Sequence, residues 1–450
     1  MSEPRRHLGA GAALSLVAQA GPLAAAAALS IVLARTIGPS GNGRYVLLLT
    51  LAGLTSMVVS LGLHSGITYE VSRRRWPVGR AYRTSYLLAV GLGLAGLAAG
   101  FGVFLLTRHT VFGGISGWLA LLALASLPPV LAYEFAAAIL LARERYERYA
   151  AVLILHAAAL MLIGAGLAFP FGVTGAVIGL PASALIGALV AGRLLATEAS
   201  RDAALDSGDS LGRALRFGLQ SWGANLLQQV NYRFDVLILG GFASAGDVGV
   251  YSVALTLTSI AWLLPQALQI VIFPRAASLD ESVMTGEVSG RESDDAIARA
   301  IRHGVLLTLP AGVVVALLLL GGVALIYGHK FHQTVPLGFV LLPGVLLLGV
   351  GKILGSAVSG RGYPRYALYG AIVSVALTLA LYLGLIPFFH AWGAAIGSSV
   401  SYAANSVLGL FFFHRVTAIG VRQAFVPTRE DLTDYRAAAT LARSRFARSR

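Results

Sequence analysis

The chain has 450 residues, of which 57% are hydrophobic and only 12% are charged. Soluble domains carry about 25% charged residues, so this composition excludes an ordinary water-soluble protein. The formal net charge of +14 would suit nucleic acid, but the basic residues are spread over short segments between apolar runs, a pattern that reports membrane topology. We therefore expect no nucleic-acid partner. The lack of cysteine excludes disulfides and thiolate metal sites.

Apolar runs long enough to cross a bilayer, which takes roughly 20 helical residues, recur along the chain. We predict an all-α polytopic membrane protein of about twelve transmembrane helices. The predicted spans are 8–34, 45–66, 82–106, 118–141, 150–169, 172–196, 214–240, 250–273, 303–327, 334–358, 366–386 and 393–414. The first run follows Arg5 and Arg6 as in a signal peptide, but it is too long for one, and we interpret it as an uncleaved helix.

The distribution of basic residues predicts the orientation. With the N-terminus inside, 28 of the 34 Lys and Arg residues fall in segments predicted to be cytoplasmic. Only four fall in outer segments, namely Arg35, Arg44, Arg108 and Lys330. Positive charge concentrates on the cytoplasmic side of membrane proteins. The sequence therefore predicts a multi-pass protein of the cell (inner) membrane with both termini in the cytoplasm.

Polar segments separate the predicted spans on the cytoplasmic side. Residues 197–213 form a predicted linker, 274–302 a second solvated loop and 416–450 a basic tail. In the second loop, Ser293-Asp294-Asp295 predicts the N-terminal cap of the ninth helix, because short polar side chains cap helices and carboxylates favour the positive end of the helix dipole.

Three short motifs recur in the two halves of the chain. Gly43-Arg44-Tyr45 recurs as Gly249-Val250-Tyr251; Tyr146, Arg148, Tyr149 and Ala150 recur as Tyr363, Arg365, Tyr366 and Ala367; Gly175-Ala176-Val177-Ile178-Gly179 recurs as Gly393-Ala394-Ala395-Ile396-Gly397. The motifs keep their order, which predicts two six-helix lobes, 1–196 and 214–415, in the same orientation. Such lobes are related by a pseudo-two-fold axis along the membrane normal, and the substrate path runs between them.

Two segments resemble a known family of transporters. Leu33-Ala34-Arg35-Thr36-Ile37-Gly38-Pro39, followed by Gly41, Gly43 and Tyr45, is similar to the first outer loop of oligosaccharide flippases in the polysaccharide-transporter family. Tyr232-Arg233-Phe234-Asp235, followed by Gly240, Gly246, Gly249 and Tyr251, is similar to the seventh-helix region of that family. The family belongs to the multidrug/oligosaccharidyl-lipid/polysaccharide exporter superfamily.

The resemblance implies a two-lobed carrier that moves a polyprenyl-diphosphate-linked oligosaccharide from the inner to the outer leaflet by alternating access, for cell-surface polysaccharide biosynthesis. It implies a monomer without a cofactor, and it leaves coupling to H⁺ or Na⁺ open. Glycosyltransferases and a polysaccharide polymerase are candidate partners. The chain departs from the family in placing few basic residues inside spans, since only Arg233 and Lys352 lie there.

The predicted seventh helix, 214–240, is the most polar span. At about 100° per residue, its side chains Asn225, Gln228, Gln229, Tyr232, Arg233 and Asp235 fall within an arc of about 160°. A guanidinium binds a diphosphate in bidentate fashion, and amides suit sugar hydroxyls. We therefore predict substrate binding by Arg233, Asn225, Gln228, Gln229 and Tyr232. The alternative is that these groups join neighbouring helices by hydrogen bonds.

Three charged residues in the spans are predicted to serve coupling or gating: Asp235, Glu134 and Lys352. Glu134 and Lys352 occupy corresponding positions of the two halves within one residue, and a salt bridge between them is one way to close an inner gate. Glu134 and Asp235 are alternatives as carboxylates that take up a proton during transport, because burial raises a carboxyl pKa. Local pairing of each residue stays open.

Two other functions compete with flipping. A cation-coupled small-molecule exporter of the same superfamily would need an acidic cavity, and buried carboxylates are scarce. A membrane enzyme such as a polysaccharide polymerase or ligase would need a substantial outer loop. No nucleophile elbow, phosphate-binding glycine loop or metal-ligand cluster appears in the sequence, and we predict a transporter rather than an enzyme.

Overall fold

The structure is a computed structural model of the chain. It describes the backbone of residues 3–199, 209–263, 289–417 and 419–426, together with scattered positions within 264–288 and with Thr428 and Asp431. Side chains are described from residue 20 onward. Residues 200–208 of the predicted linker, most of the predicted 274–302 loop before Ser289 and residues 432–450 of the predicted tail lie outside the described residues.

The described residues form helices and turns without a β-strand. The α-helices are α1 Glu3–Ser60, α2 Leu63–Ser72, α3 Val78–Thr107, α4 Gly117–Leu124, α5 Leu127–Ala142, α6 Tyr146–Ala199, α7 Ser210–Phe242, α8 Ala245–Ser259, α9 Gly290–Leu317, α10 Val323–Ile326, α11 Thr334–Gly360, α12 Pro364–Val416 and α13 Val421–Phe425. A π-helical turn at Leu318–Gly322 joins α9 to α10. The all-α polytopic fold class is confirmed.

Seven helical segments among the described residues are long and apolar enough to cross a membrane. Three of them, Ala20–Ser60, Tyr146–Ala196 and Leu368–Val416, have 41, 51 and 49 residues. A single span takes roughly 20 residues, so each of the three holds a pair of predicted spans. The seventh predicted span lies in α7, which is too polar to be among the seven, and the eighth runs from α8 into residues that are only partly described.

Two long apolar helices, α6 and α12, reverse direction at corresponding places. In α6 the helix is interrupted at Gly172, with φ 58° and ψ −133°. In α12 it is interrupted 218 residues later at His390, with φ 49° and ψ −124°. Beyond each interruption a glycine leaves no room for a Cβ, Gly175 against the Leu167 carbonyl and Gly393 against the Leu385 carbonyl. Each helix therefore folds into a tight hairpin of two spans.

The turns that lead into these hairpins also match. Both turns centre on a residue with positive φ, Glu144 at 57° and Gly362 at 83°, again 218 positions apart. Their backbone hydrogen bonds correspond one by one. In the first turn they run from Arg143 N to Ile139 O, from Glu144 N to Leu141 O and from Arg145 N to Leu140 O. In the second turn they run from Arg361 N to Ala357 O, from Gly362 N to Ser359 O and from Tyr363 N to Val358 O. The internal repeat is therefore present in the backbone as well as in the motifs.

Two predicted spans contain breaks that the sequence did not reveal. The span predicted over 45–66 ends as α1 at Ser60 and resumes as α2 at Leu63, because Leu61 and Gly62 have φ 51° and 66°. The span predicted over 118–141 is divided between α4 and α5. In both places the apolar run continues through the break, so hydropathy does not signal it.

The chain divides into two compact units. The first unit comprises Met1–Val253, Gly322–Thr334 and Tyr382–Ala394; its core surrounds Leu63, Phe135 and Ala214. The second comprises Ala254–Gly321, Val335–Leu381 and Ala395–Arg450; its core includes Ile301, Ile353 and Phe413. The division into lobes at 1–196 and 214–415 stays a prediction.

The predicted N-terminal cap of the ninth helix is wrong by four residues. Ser289 caps α9 in a capping box with Glu292, so that the helix begins before Ser293-Asp294-Asp295. The two aspartates have other partners, since Asp294 forms an ion pair with Arg361 and Asp295 accepts a hydrogen bond of 2.6 Å from Gln423.

Part of the predicted tail docks on α9. Arg302 of α9 donates to both carboxylate oxygens of Asp431, at 2.7 and 3.2 Å, and to the Gln423 carbonyl at 2.7 Å. The Asp431 side chain is fully buried and also accepts from the backbone N–H of Thr428 at 2.7 Å. Burial acts to raise the pKa of Asp431, but the hydrogen bonds from Arg302 and Thr428 outweigh it and hold the pKa well below its usual range. The start of the tail is thus bound to α9 through Arg302.

This ion pair predicts how tail docking depends on pH. A carboxyl with a depressed pKa in the folded state stabilises above its ordinary pKa of about 4 and loses that contribution as the pH falls below it. The anisotropy of a dye on Val426→Cys, an exposed position beside the docked segment, should therefore stay high from pH 8 to about pH 4 and fall below that value.

Asp431→Asn should lower the anisotropy already at pH 7, because removing one partner of a buried pair costs roughly 3–5 kcal/mol. Asp295→Asn is the control, since its contact with Gln423 is exposed and its loss should leave the anisotropy nearly unchanged. A wild-type signal that declines between pH 8 and 6 would contradict the assignment.

Candidate functional site

Helix α7 runs for 33 residues, from Ser210 to Phe242, about 50 Å at 1.5 Å per residue. Asp209 caps it by accepting a hydrogen bond from the Gly212 N–H at 3.0 Å. The helix is therefore long enough to carry separate contacts at its two ends and a third, distinct stretch between them.

The middle of α7 exposes polar side chains. Asn225, Gln228, Gln229 and Arg233 are exposed, while Tyr232 is half-buried. The Gln228 amide lies 3.5 Å from the Tyr232 hydroxyl. Within the described part of the chain, Arg233 forms no ion pair with a carboxylate. We call these five residues the polar face; the structure thus brings all five predicted substrate-binding residues together on one open stretch of helix.

The neighbouring edge of the helix is buried, and Asp235 lies there with its side chain fully enclosed. One carboxylate oxygen accepts from the Tyr251 hydroxyl of α8 at 2.6 Å, and the other accepts from the Val236 N–H at 2.7 Å. Asn231 is also buried, at 5% exposure. Asp235 therefore joins α7 to α8. Of the six side chains predicted to share one arc of this helix, five form the polar face and Asp235 is packed against α8.

Contacts with the second span border the polar face along the same stripe of α7. N-terminal to the polar face, Ala214, Gly218 and Trp222 follow each other at intervals of four residues. They lie on the same side of the helix as Asn225 and Gln229. Ala214 and Gly218 meet the backbone of Gly66 and Gly62, and Trp222 donates its indole N–H to the Met57 carbonyl at 2.9 Å. The stripe is thus closed before the polar face begins.

The stripe is closed again after the polar face. Gly240 leaves no room for a side chain against Leu47 and the Val111 carbonyl, and Leu239 is fully buried. In the same part of the first unit, the repeated glycines meet each other: Gly43 lies against the backbone of Gly249, and Gly249 against that of Pro39 and Gly43. The open stretch is therefore limited to the middle of α7.

Glu134 lies in α5 and is half-buried. It forms no ion pair or hydrogen bond with another residue in the described parts of the chain. The preceding residue, Tyr133, stacks on His156 with ring centroids 4.4 Å apart, and Gly187 leaves space for both rings. Glu134 thus lies in the first unit next to an aromatic pair, and the structure gives it no hydrogen-bonding or charged partner among the described residues.

Lys352 lies in α11 of the second unit and is half-buried. Its ammonium is 4.7 Å from the centre of the Trp262 ring, a cation–π distance. Trp262 is held by a hydrogen bond of 3.1 Å from its indole N–H to the Val345 carbonyl. The structure therefore gives Lys352 an aromatic partner within its own unit.

Sequence reasoning missed Glu70, Trp222 and Tyr251 and treated Arg213 only as a topology signal. Glu70 is buried and accepts a hydrogen bond from Arg213 at 2.9 Å. An early signal was available, since a lone carboxylate directly before the basic run Arg73-Arg74-Arg75 is unusual in so apolar a chain. The fourfold spacing of Ala214, Gly218 and Trp222 was a second signal.

Comparison with solved structures shows which known fold the chain shares. The chain resembles a structure described as the lipid II flippase MurJ in an inward closed conformation, with a TM-score of 0.70, 12% identity and 89% of each chain covered. It also resembles an inward-facing multidrug resistance MATE family transporter of the MOP superfamily, with a TM-score of 0.69, 16% identity and 89% and 98% of the two chains covered. The chain therefore shares the fold of these two transporters.

The sequence places the chain more closely. The profile of the family described as polysaccharide biosynthesis protein matches residues 32–336, and the chain belongs to that family. Two relatives come from Haloferax volcanii: the probable low-salt glycan biosynthesis flippase Agl15, 27% identical over 185 residues, and the probable flippase AglR, 25% identical over 207. These matches cover 41% and 44% of the chain, and the chain spans only 38% and 42% of the two relatives.

The polar face predicts a pattern of thiol reactivity. Because the chain has no native cysteine, Asn225→Cys, Gln229→Cys and Arg233→Cys can each be tested alone with a water-soluble maleimide. We expect fast labelling of all three, because a thiolate forms only where water reaches the side chain.

Two controls separate water from lipid. Leu239→Cys should stay unlabelled because residue 239 is fully buried, and Leu94→Cys should stay unlabelled because residue 94, although 55% exposed, lies on the apolar helix α3. Labelling of the three polar-face variants no faster than Leu94→Cys would show that this face lies against lipid.

Proposed function

We propose that the protein is a flippase that moves a polyprenyl-diphosphate-linked oligosaccharide from the inner to the outer leaflet of the cell membrane. The observation that supports the proposal best is the polar face of α7, an exposed group of amides, a phenol and a guanidinium in an apolar bundle. Membership of the polysaccharide biosynthesis protein family and two flippase relatives agree with it.

The chemistry of the polar face matches the head of such a substrate. Arg233 can donate two parallel hydrogen bonds to a diphosphate. The amides of Asn225, Gln228 and Gln229 both donate and accept, as sugar hydroxyls do. Carboxylates are absent from this face, because Asp235 is turned into the packed edge. The face therefore suits an anionic, hydroxyl-rich cargo better than an organic cation.

The same proposal includes the topology and the state of the protein. Both termini lie in the cytoplasm, as the distribution of Lys and Arg predicts, and the carrier works as a monomer without a bound cofactor and without catalysis. Glycosyltransferases supply its substrate, and a polysaccharide polymerase consumes the product. Among the described residues there is no group of three or more ligands that could hold a metal ion.

Reconstitution tests the function directly. The protein is placed in liposomes with a fluorescent polyprenyl-diphosphate oligosaccharide, and leaflet transfer is read from the fraction that an outside reagent quenches. We expect transfer well above that of empty liposomes. Drug-stimulated proton flux without lipid transfer would instead identify a cation-coupled small-molecule exporter.

Arg233 predicts a graded mutational series in this assay. Arg233→Ala should slow transfer at least tenfold, since a charge-assisted hydrogen bond contributes roughly 1.5–3 kcal/mol. Arg233→Lys keeps the charge but loses the bidentate geometry, and its transfer rate should fall between those of the wild type and Arg233→Ala. Arg216→Ala, an exposed arginine before the polar face on the same helix, is the matched control and should transfer normally. Equal rates for all variants would exclude Arg233 as the diphosphate contact.

We also propose that Glu134 couples transport to H⁺ or Na⁺ and that Asp235 and Lys352 have structural or gating roles. Asp235→Asn keeps an acceptor for Tyr251, so we expect a folded protein with near-normal transfer. Glu134→Gln should abolish the stimulation of transfer by an imposed ion gradient while leaving downhill transfer intact. The thermal stability of each variant in detergent serves as the control. Loss of gradient stimulation in Asp235→Asn alone would reverse the assignment.

A further inference from the structure

The cytoplasmic end of α7 is joined to α2 by a dense set of contacts, which we call the α2–α7 seam. The backbones approach so closely that Gly62 and Gly66 leave no room for side chains against Gly218 and Ala214. Tyr69 and Phe217 stack with ring centroids 4.1 Å apart and an interplanar angle of 11°. The seam therefore excludes any cargo as long as it is closed.

A charged contact joins the seam on its side toward the basic turn. Arg213 donates to Glu70 at 2.9 Å, and the Glu70 side chain is only 1% exposed, whereas that of Arg213 is 31% exposed. Ser210 also donates to the Arg75 carbonyl at 3.0 Å. An ion pair with one partner at the water boundary costs less to separate than a fully buried pair, which suits a contact that opens and closes.

The seam lies between the basic turn and the polar face. Ala214 and Gly218 lie on the same stripe of α7 as Trp222. Further along this stripe the polar face begins at Asn225 and continues to Gln229. A head group that comes from the side of the basic turn Arg73-Arg74-Arg75 reaches the polar face along this stripe only if α2 leaves α7. The break at Leu61 and Gly62 separates α2 from α1 and permits such a movement.

We propose that the α2–α7 seam is the inner gate of the transporter and that the ion pair of Glu70 with Arg213 is its latch. The proposal rests on the proposed function. In it, α2 pivots at the Leu61–Gly62 break, the stacked rings separate, the Trp222 indole leaves the Met57 carbonyl, and the path to the polar face opens. The glycines let the two backbones return to contact after the cargo has passed.

A reversible cross-link tests the gate. In the double variant Tyr69→Cys/Phe217→Cys, a short bifunctional thiol reagent should reduce leaflet transfer at least tenfold, and reduction of the link should restore it. The matched control is Tyr366→Cys/Phe412→Cys, which replaces a stacked pair with centroids 4.8 Å apart inside the α12 hairpin. Cross-linking the control should leave transfer unchanged. Unimpaired transfer through the linked seam would overturn the proposal.

A second measurement tests the latch without any cargo. Phe217→Cys is labelled from the cytoplasmic side with an impermeant maleimide, alone and together with Glu70→Gln. The weakened pair should speed labelling severalfold, and the exchange Glu70→Arg/Arg213→Glu should return the rate to that of Phe217→Cys alone. Faster labelling with no lipid transfer in any variant would retain the gate and reject the proposed substrate. An unchanged labelling rate in Glu70→Gln would reject the latch.

Discussion

Close contact between the second span and α7 is the constraint on which the first unit depends. Where two helices meet without side chains, their backbones pack directly, and small residues make this possible in membranes. The contact is made at both ends of α7, through Gly62 and Gly66 at one end and through Gly240 against Leu47 at the other. Because this stripe of α7 is closed at both ends, its polar side chains are open only in the middle stretch, and the site follows from the packing.

This packing also explains why charged groups in the same helix have different environments. Arg233 is exposed on the polar face, whereas Asp235, two residues further on, points about 160° away around the helix axis and is enclosed with Tyr251. The difference of position sets what each group can do. A free guanidinium can meet a ligand, while a carboxylate held by two donors is part of the connection between helices.

Much of the fold was accessible from the sequence, because apolar runs and the distribution of arginine are direct consequences of a bilayer. The all-α polytopic fold, the hairpin break beside Pro170 and the internal repeat all follow from such patterns, and the repeat proved more regular in the backbone than in the motifs. The breaks at Leu61 and between α4 and α5 were not predicted, because the apolar run continues through them; the local signals were Gly62 at the first and Pro128-Pro129 after the second.

The candidate site was predicted in part for the same reason. Polar residues in an apolar helix are conspicuous, so the five members of the polar face could be named, and helical periodicity placed them together. Periodicity does not say where a stripe is covered, so the burial of Asp235 and the partner of Lys352 required the structure. Glu70 escaped notice because the sequence, although it shows a lone carboxylate there, does not show that α7 buries it and supplies Arg213 as its partner.

The break at Leu61 has one more consequence, which concerns water. A helix end inside a membrane leaves carbonyl groups that must find donors, since hydrocarbon offers none. The Met57 carbonyl takes its donors from the Ser60 hydroxyl and from the indole of Trp222 on another helix. When the gate opens and the Trp222 indole leaves, the Met57 carbonyl keeps the Ser60 hydroxyl, and water is the donor that can take the place of the indole. Separation of the two helices and hydration of the space between them are therefore one event, and the bilayer itself discourages the helices from parting while that space is dry.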